Sequence, residues 1–372
     1  MRKETKFKFN QYLSRLGEIY HVSPQDFAGK VNIEPSKAQV LESQIQQSAG
    51  FLQKINLVPV VEQQDQVIGL GIGSTVAGTT DTSSKSREPI DPTALDAIDY
   101  YCYQTNFDTA ISYAKLDMWA KFNDFQRRIR DAIVRRQALD RIMIGFNGIK
   151  REKTSDRTQN AKLQDVNIGW LQKIRNDAPT HVMAKITDSQ GKVTSSTIRI
   201  GEKGDYKNLD ALVMDTVERV IDEVYQDDTD LVIICGRSLL ADKYFPIVNK
   251  EQANSEMLAA DVIISQKRLG GLPAIRAPFF PDKSLLITRL DNLSIYYQQD
   301  TRRRQIKDTP ERDRVENYES VNEAYVVEDY RGVALVENID ILPEPEEKPQ
   351  SGPQGGNTPH SGGSSQVNQG GS

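Results

Sequence analysis

With 372 residues, 38% of them hydrophobic and 27% charged, the chain can bury a sizeable core, as one large domain or two intergrown ones. A net charge of −5 argues against a surface built wholly to hold nucleic acid, and two cysteines, Cys102 and Cys235, are too few for a disulfide framework, which points to folding in a reducing cytoplasm. No apolar run reaches bilayer length and Met1–Tyr20 lacks the apolar stretch of a signal peptide, so the expectation is a soluble protein made inside a cell.

Residues 1–30 hold six Lys/Arg against three acids, and Phe7, Phe9, Tyr12, Leu13 and Leu16 fall on one side of a short amphipathic helix. HVSPQDFAGKVNIEPS follows, and its Pro24, Gly29 and Pro35 predict a flexible joint. The segment before it reads as a mobile terminal arm or a detachable piece. From Val67 to Ile72 the sequence alternates, with Ile68, Leu70 and Ile72 on one face and glycines on the other. Residues 74–92 are rich in Gly, Ser and Thr, and a second run then places Tyr101, Tyr103, Phe107, Thr109, Ile111 and Tyr113 at even spacing. Together these predict a long β-hairpin over 65–113 with a broad polar tip. A hairpin of that length is marginal in water unless a face packs on something, and its glycine-bearing strand has little to bury. The expectation is an arm laid across a neighbouring subunit; the plainer alternative is an ordinary edge hairpin.

Residues 116–147 carry apolar side chains at near-helical spacing: Leu116, Trp119, Phe122, Phe125, Ile129, Ile133, Ile142 and Phe146 among them. Asp124 with Arg128, Asp131 with Arg135, and Arg136 with Asp140 stand four residues apart and support the exposed side. At about 1.5 Å per residue such a helix runs roughly 45 Å, long enough to act as a spine. A shorter helix is predicted over Leu163–Ile174, a weak hairpin over Val182–Ile200, and an amphipathic helix from Leu209 through Val224. LVIIC at 231–235 has the continuous apolar character of a strand buried on both faces. Helices near Leu239–Lys250 and Ser255–Gln266 precede strands at 285–290, 293–298, 324–327 and 333–336. Helices and strands without regular βαβ alternation imply an α+β fold. From Pro343 the composition turns low-complexity and predicts disorder.

Catalytic and cofactor chemistry finds no support. In GLGIGST at 69–75 the glycines sit within a strand and no helix follows, which the dinucleotide-binding turn requires. His21, His181 and His360 have no partners at metal-ligand spacing, and neither cysteine has a histidine nearby in sequence. No catalytic residue, metal or cofactor is expected. The rival signal is charge: residues 121–157 hold eleven Lys/Arg against five acids, and Arg302–Arg304 add a second cluster. Sequence-independent phosphate binding needs little more, although the interleaved acids favour a solvated, salt-laced helix face.

Several segments together resemble a known family: MRKETKFKFNQYLSRL at the start, INLVPV at 55–60, the stretch from Leu116 to Gly148, LQDVNIGWLQKIRNDAP at 163–179 and NEAYVVEDY at 322–330. They are similar to the major capsid protein of P2-type temperate tailed phages, from residue 1 to about 340. The resemblance implies the HK97-like shell fold of tailed phages and herpesviruses. It implies an N-terminal arm at 1–30 removed on maturation, a remaining arm at 31–64 and an extended hairpin loop at 65–113. A peripheral domain would occupy 114–204 around the 116–147 spine, an axial domain 205–300, and return strands 301–342, with the 343–372 tail outside the pattern. The implied function is self-assembly, as hexamers and pentamers, into the icosahedral head of a virion built in the bacterial cytoplasm. The implied partners are copies of itself, a scaffolding protein, a maturation protease, a portal protein and non-specifically held double-stranded DNA, with no membrane. The maturation cut falls by resemblance near Lys30–Val31. Ile68, Leu70, Ile72, Tyr101, Tyr103 and Phe107 would serve the inter-subunit hairpin, and the spine core would comprise Trp119, Phe122, Phe125, Ile129, Ile133, Ile142 and Phe146. Two rivals remain: an encapsulin-like cellular nanocompartment shell, and a DNA-binding module using 121–157.

Overall fold

The computed structural model describes residues 1–343 other than 21, 73–76, 90–92, 123, 188–192, 242 and 244–266. The low-complexity tail and most of the helices expected near 239–250 and 255–266 lie outside the described residues. The chain opens with helix α1 (Lys3–Tyr20), where Phe9, Tyr12, Leu16 and Tyr20 recur at helical spacing and are buried. Phe7, expected on that face, is exposed. Phe27, in the connection that follows, is buried as well, so the N-terminal segment is packed on the molecule and the joint is held. Strand β1 (Val31–Asn32) leads into α2 (Pro35–Gln47), which begins with proline where a missing N–H costs nothing.

Next come β2 (Asn56–Val60), β3 (Gln64–Ile72), β4 (Thr93–Tyr101), β5 (Tyr103–Asn106) and β6 (Thr109–Ser112). The helix expected without interruption over 116–147 is in fact two, α3 (Tyr113–Trp119) and α4 (Phe125–Asn147). The break falls where the sequence reads Phe122-Asn123-Asp124. Asn and Asp compete for local hydrogen bonds and disfavour a helix interior. Helix α5 (Trp170–Asp177) starts seven residues later than expected, because Leu163 has a φ of +57°, outside helical space.

Strands β7 (Val182–Met183), β8 (Ile186–Thr187), β9 (Val193–Ser195) and β10 (Ile198–Ile200) precede α6 (Leu209–Val220). Asn208 caps α6 by accepting the Ala211 N–H at 2.8 Å. The helix does not run on to Val224, which is exposed in α7 (Glu223–Gln226). The remaining strands are β11 (Val232–Cys235), β12 (Arg268–Leu269), β13 (Leu272–Ile275), β14 (Leu285–Thr288), β15 (Leu293–Gln298), β16 (Arg303–Thr309), β17 (Arg314–Val327), β18 (Ala334–Val336) and β19 (Ile339–Ile341).

Strand β17 organises a seven-stranded sheet. Glu323 stands opposite Tyr297 on one side and Tyr103 on the other, and Ser320 opposite Arg303 and Asn106. Strands β15 and β16 therefore follow one edge of β17, and β5 and β6 the other. The six-stranded sheet runs β12-β13-β11-β14-β18-β7 and is covered on both faces. Its period-2 alternation splits its side chains between two cores. Ile233, Cys235, Leu285, Ile287, Ala334 and Val336 pack with α6. Ile234, Leu286 and Leu335 point the other way, to α4, α5 and the larger sheet. At that second core Trp170 donates to the Ser294 carbonyl at 2.9 Å and meets Phe146 and Tyr325 edge-on, at 5.3 and 5.4 Å between ring centres. Gly145 is what lets the indole so close: a Cβ there would stand 2.2 Å from the Trp170 ring.

Candidate functional site

Two features stand out once the folded cores are accounted for: an extended hairpin and a buried ion network. Strands β3 and β4 pair antiparallel through nine positions, from Gln64 opposite Tyr101 to Ile72 opposite Thr93, and among the described residues no third strand joins them. The hairpin spans roughly 30 Å. Its base is fixed by Tyr100, buried edge-on against Tyr296 at 5.1 Å, and by the Cys102 N–H donating to Gln63 O at 2.8 Å. Ile68, Leu70 and Ile72 occupy β3 opposite Ala97, Leu95 and Thr93. The glycines at 69 and 71 thus lie in a strand.

The hairpin is shorter than 65–113. Tyr101 ends β4, 40% exposed, with its ring 4.5 Å from that of Tyr103. Tyr103 already belongs to β5 in the large sheet, and Phe107 is buried there with Tyr297 and Val321. Phe107 is therefore a core residue of its own subunit. Alternation continued through both regions because Tyr101, Tyr103, Thr109 and Ile111 all lie in strands; it carries no information about which strand is the partner. In the helical region Phe125, Ile129 and Ile133 pack against α1, and Ile142 and Phe146 enter the Trp170 core. Trp119 is half-buried on α3. Phe122 is not a core residue: it lies in the helix break, 45% exposed, with the Arg128 guanidinium 4.3 Å above its ring.

The ion network was not foreseen. Arg141, fully buried on α4, donates from Nη1 to Glu42 of α2 at 2.6 Å, and from Nε at 2.8 Å and Nη2 to one oxygen of Glu323 on β17. Arg302, 2% exposed just before β16, donates to the other oxygen of Glu42, to Glu319 from Nε at 3.0 Å and Nη2 at 2.5 Å, and to Gln137 at 2.9 Å. Gln137 donates back to Glu319 at 2.9 Å. Arg304 donates to Asn317 at 2.7 Å and approaches the Tyr12 hydroxyl of α1 at 3.4 Å. Three arginines thus offset three glutamates in a volume closed to water. Burial raises the carboxyl of Glu42, but Arg141 and Arg302 outweigh it and hold the group below its ordinary range. Glu319 opposes the same burial with Arg302 and Arg304 and is lowered to about 2. For Glu323 burial prevails over Arg141 and the carboxyl is raised; its Oε2 has no hydrogen-bond partner. The spacing is local: Gln137 and Arg141 are one helical turn apart, and Glu319 and Glu323 share one face of β17.

The family described as phage major capsid protein, P2 family, matches residues 8–339. The chain belongs to that family. The capsid protein of Escherichia phage P2 is 57% identical over 92% of this chain and 96% of its own length. The major capsid protein of Serratia phage KSP20 is 40% identical over 91% and 97%. A solved chain from the procapsid of satellite phage P4, a structure that includes the size determination protein, is 54% identical, covers 92% of this chain and 99% of its own, and superposes with a TM-score of 0.77.

This capsid protein has the α+β, HK97-like shell fold and is a structural component of the virion. Its basic run reads differently in that light. Arg141, Arg302 and Arg304, counted above as candidate phosphate ligands, are buried in the ion network. On the exposed face of α4, Arg128 pairs with Asp124 at 2.8 Å and Arg136 with Asp140, as their spacing implied. Asp131 departs from expectation and pairs with its neighbour Arg130 at 3.1 Å. Among the described residues no helix is long and apolar enough to cross a membrane.

Proposed function

We propose that this capsid protein assembles, with a scaffolding partner in the bacterial cytoplasm, into hexamers and pentamers of a precursor shell. The shell would later expand around double-stranded DNA that enters through a portal. The observation that carries this reading is the β3–β4 hairpin, whose nine paired positions find no third strand in their own subunit among the described residues. Laid over a neighbouring subunit, the hairpin would cover its open edges and bury its faces in a large interface. Expansion would turn domains as rigid bodies, and the break between α3 and α4 supplies a place for the spine to bend.

Removal of residues 1–30 by a maturation protease belongs to the same proposal. Lys30 is exposed, and Val31 enters β1, which pairs with β16 at two positions only, so little must open for the chain to reach a protease. Electron microscopy of the chain co-expressed with its scaffolding partner tests assembly: uniform closed icosahedral particles are expected, and fixed small oligomers would refute it. Mass spectrometry of mature particles tests the cut; an intact Met1–Lys30 segment would remove it. A nanocompartment reading predicts an enzyme cargo inside the particles. A DNA-binding module is disfavoured by the burial of Arg141, Arg302 and Arg304.

A further inference from the structure

Between α1 and the start of α4 lies a cleft of about 510 Å³ that the hairpin does not use and that meets the ion network only through Tyr12. Lys8, Arg15 and Ile19 of α1 form one wall, and Arg127 and Arg130 of α4 the other. Its floor is apolar, with Leu16 and Phe125. Four cations face the cleft against one carboxylate, Asp124, and Arg128 already occupies that carboxylate at 2.8 Å. Lys8 reaches the Ala120 carbonyl at 2.6 Å and Glu4 at 3.7 Å, and Arg130 leans on Asp131. Among the described residues Arg15 and Arg127 have no acidic partner within 4 Å. Ile19 is 44% exposed beside them. An apolar floor under a basic rim complements a surface with apolar residues on one stripe and acids along its flanks.

We infer that this cleft docks an acidic amphipathic helix of a partner used in building the precursor shell, and that it exists only while residues 1–30 remain attached. The inference rests on the shell-assembly reading above and on the N-terminal cut proposed there. Its core is the shared construction of the cleft. A cut at Lys30–Val31 takes away Lys8, Arg15, Leu16 and Ile19 together. Arg127 and Arg130 then stand on an open helix with half the charge, and the wall that made the cleft concave is gone. Loss of the segment would therefore release the partner without any further signal. Duplex DNA fits less well, because phosphates are held by charge alone and the α4 arginines would keep their share of it after the cut.

The test uses the full-length unassembled subunit and a fluorescent helical peptide with leucines on one stripe and glutamates on its flanks. Controls are the same peptide with lysine in place of glutamate, and a short DNA duplex. The acidic peptide should bind and the lysine peptide should not. R127E/R130E should weaken binding by about ten-fold or more, a change of about 1.4 kcal/mol, while K203E/K207E, on a distant exposed surface, should leave it unchanged. A chain lacking Met1–Lys30 should lose binding too; R127E/R130E keeps the test decisive if that chain fails to fold. Equal binding by R127E/R130E, or equal weakening by K203E/K207E, would overturn the inference. So would DNA binding that depends on Arg127 and Arg130 and survives the truncation. Because the readout needs no shell, a subunit that binds the peptide yet never forms particles would refute the assembly reading and leave the cleft intact.

Discussion

Replacing Arg141 with methionine removes the cation that two buried carboxylates share while keeping most of the side-chain volume. Arg141 is fully buried, with two contacts to Glu323 and one to Glu42. In the variant Glu42 keeps Arg302, but Glu323 keeps no cation within bonding distance. Breaking a buried pair from one side costs about 3–5 kcal/mol. Protonation limits that cost, since the Glu323 carboxyl is already raised by burial and without Arg141 would rise further. A raised carboxyl takes its proton as pH falls, so the variant should be least impaired near about pH 5 and most impaired near about pH 8. Urea unfolding of the unassembled subunit at both pH values measures this. In the R141M background, E323Q removes the stranded charge and should recover a large part of the deficit. A loss under about 1 kcal/mol at the higher pH, or no recovery from E323Q, would refute the claim that the network is closed to water.

Four further outcomes are expected. Phe107→Ala should cost about 3–5 kcal/mol in unfolding of the isolated subunit; if Phe107 served only the inter-subunit arm, shell yield alone would fall. Gly145→Ala should destabilise by about 1–3 kcal/mol or more and disturb the near-ultraviolet signal of Trp170, because the added Cβ has no room. Glu319, held at about 2 against an ordinary 4.5, contributes stability that is complete above about pH 4.5 and lost as pH falls through the folded value; the span corresponds to about 3 kcal/mol. E319Q should therefore flatten the acid limb of a stability–pH curve, and an unchanged slope would show that Glu319 is not ionised in the fold. Deleting residues 73–91, the end of the hairpin, should leave soluble subunits that form no stable shells; normal particles would make the arm dispensable.

The sequence was most informative where periodicity alone decides. LVIIC became the central strand β11, buried on both faces, and Asp124–Arg128 and Arg136–Asp140 formed as their spacing required. It was least informative where the outcome depends on a partner distant in the chain. Tyr101, Tyr103 and Phe107 share one alternation, yet the first closes the hairpin, the second lies in β5 beside β17, and the third is buried in the connection between β5 and β6. The spine is interrupted between Trp119 and Phe125, where a short polar stretch carries a helix cost that the apolar repeat on either side hides. Helix α1 was recognised as amphipathic, but nothing local reveals that its apolar face meets Ile129 and Ile133 more than a hundred residues away.

Arginine is where composition misleads most. Charge arithmetic places Arg141 with the basic run of 121–157 and Arg302 and Arg304 in a second cluster, and both groupings suggest a surface for phosphates. The fold turns all three inward, where Glu42, Glu319 and Glu323 meet Arg141 and Arg302, and Arg304 bonds Asn317. A trace of this is present in the sequence: ESVNEAYVV at 319–327 sets two glutamates on one face of a strand whose other residues are largely apolar, a poor place for a carboxylate unless a cation is delivered to it. The cations come from positions 141 and 302, and the third acid from position 42, so the network ties α2, α4, β17 and the start of β16 into one arrangement. Apolar packing tolerates small slips between these elements, whereas guanidinium N–H groups converging on one buried carboxylate oxygen do not. For a subunit whose copies must match one another in a shell, that fixed register is a physical reason to keep six charges where hydrophobic side chains would pack as well.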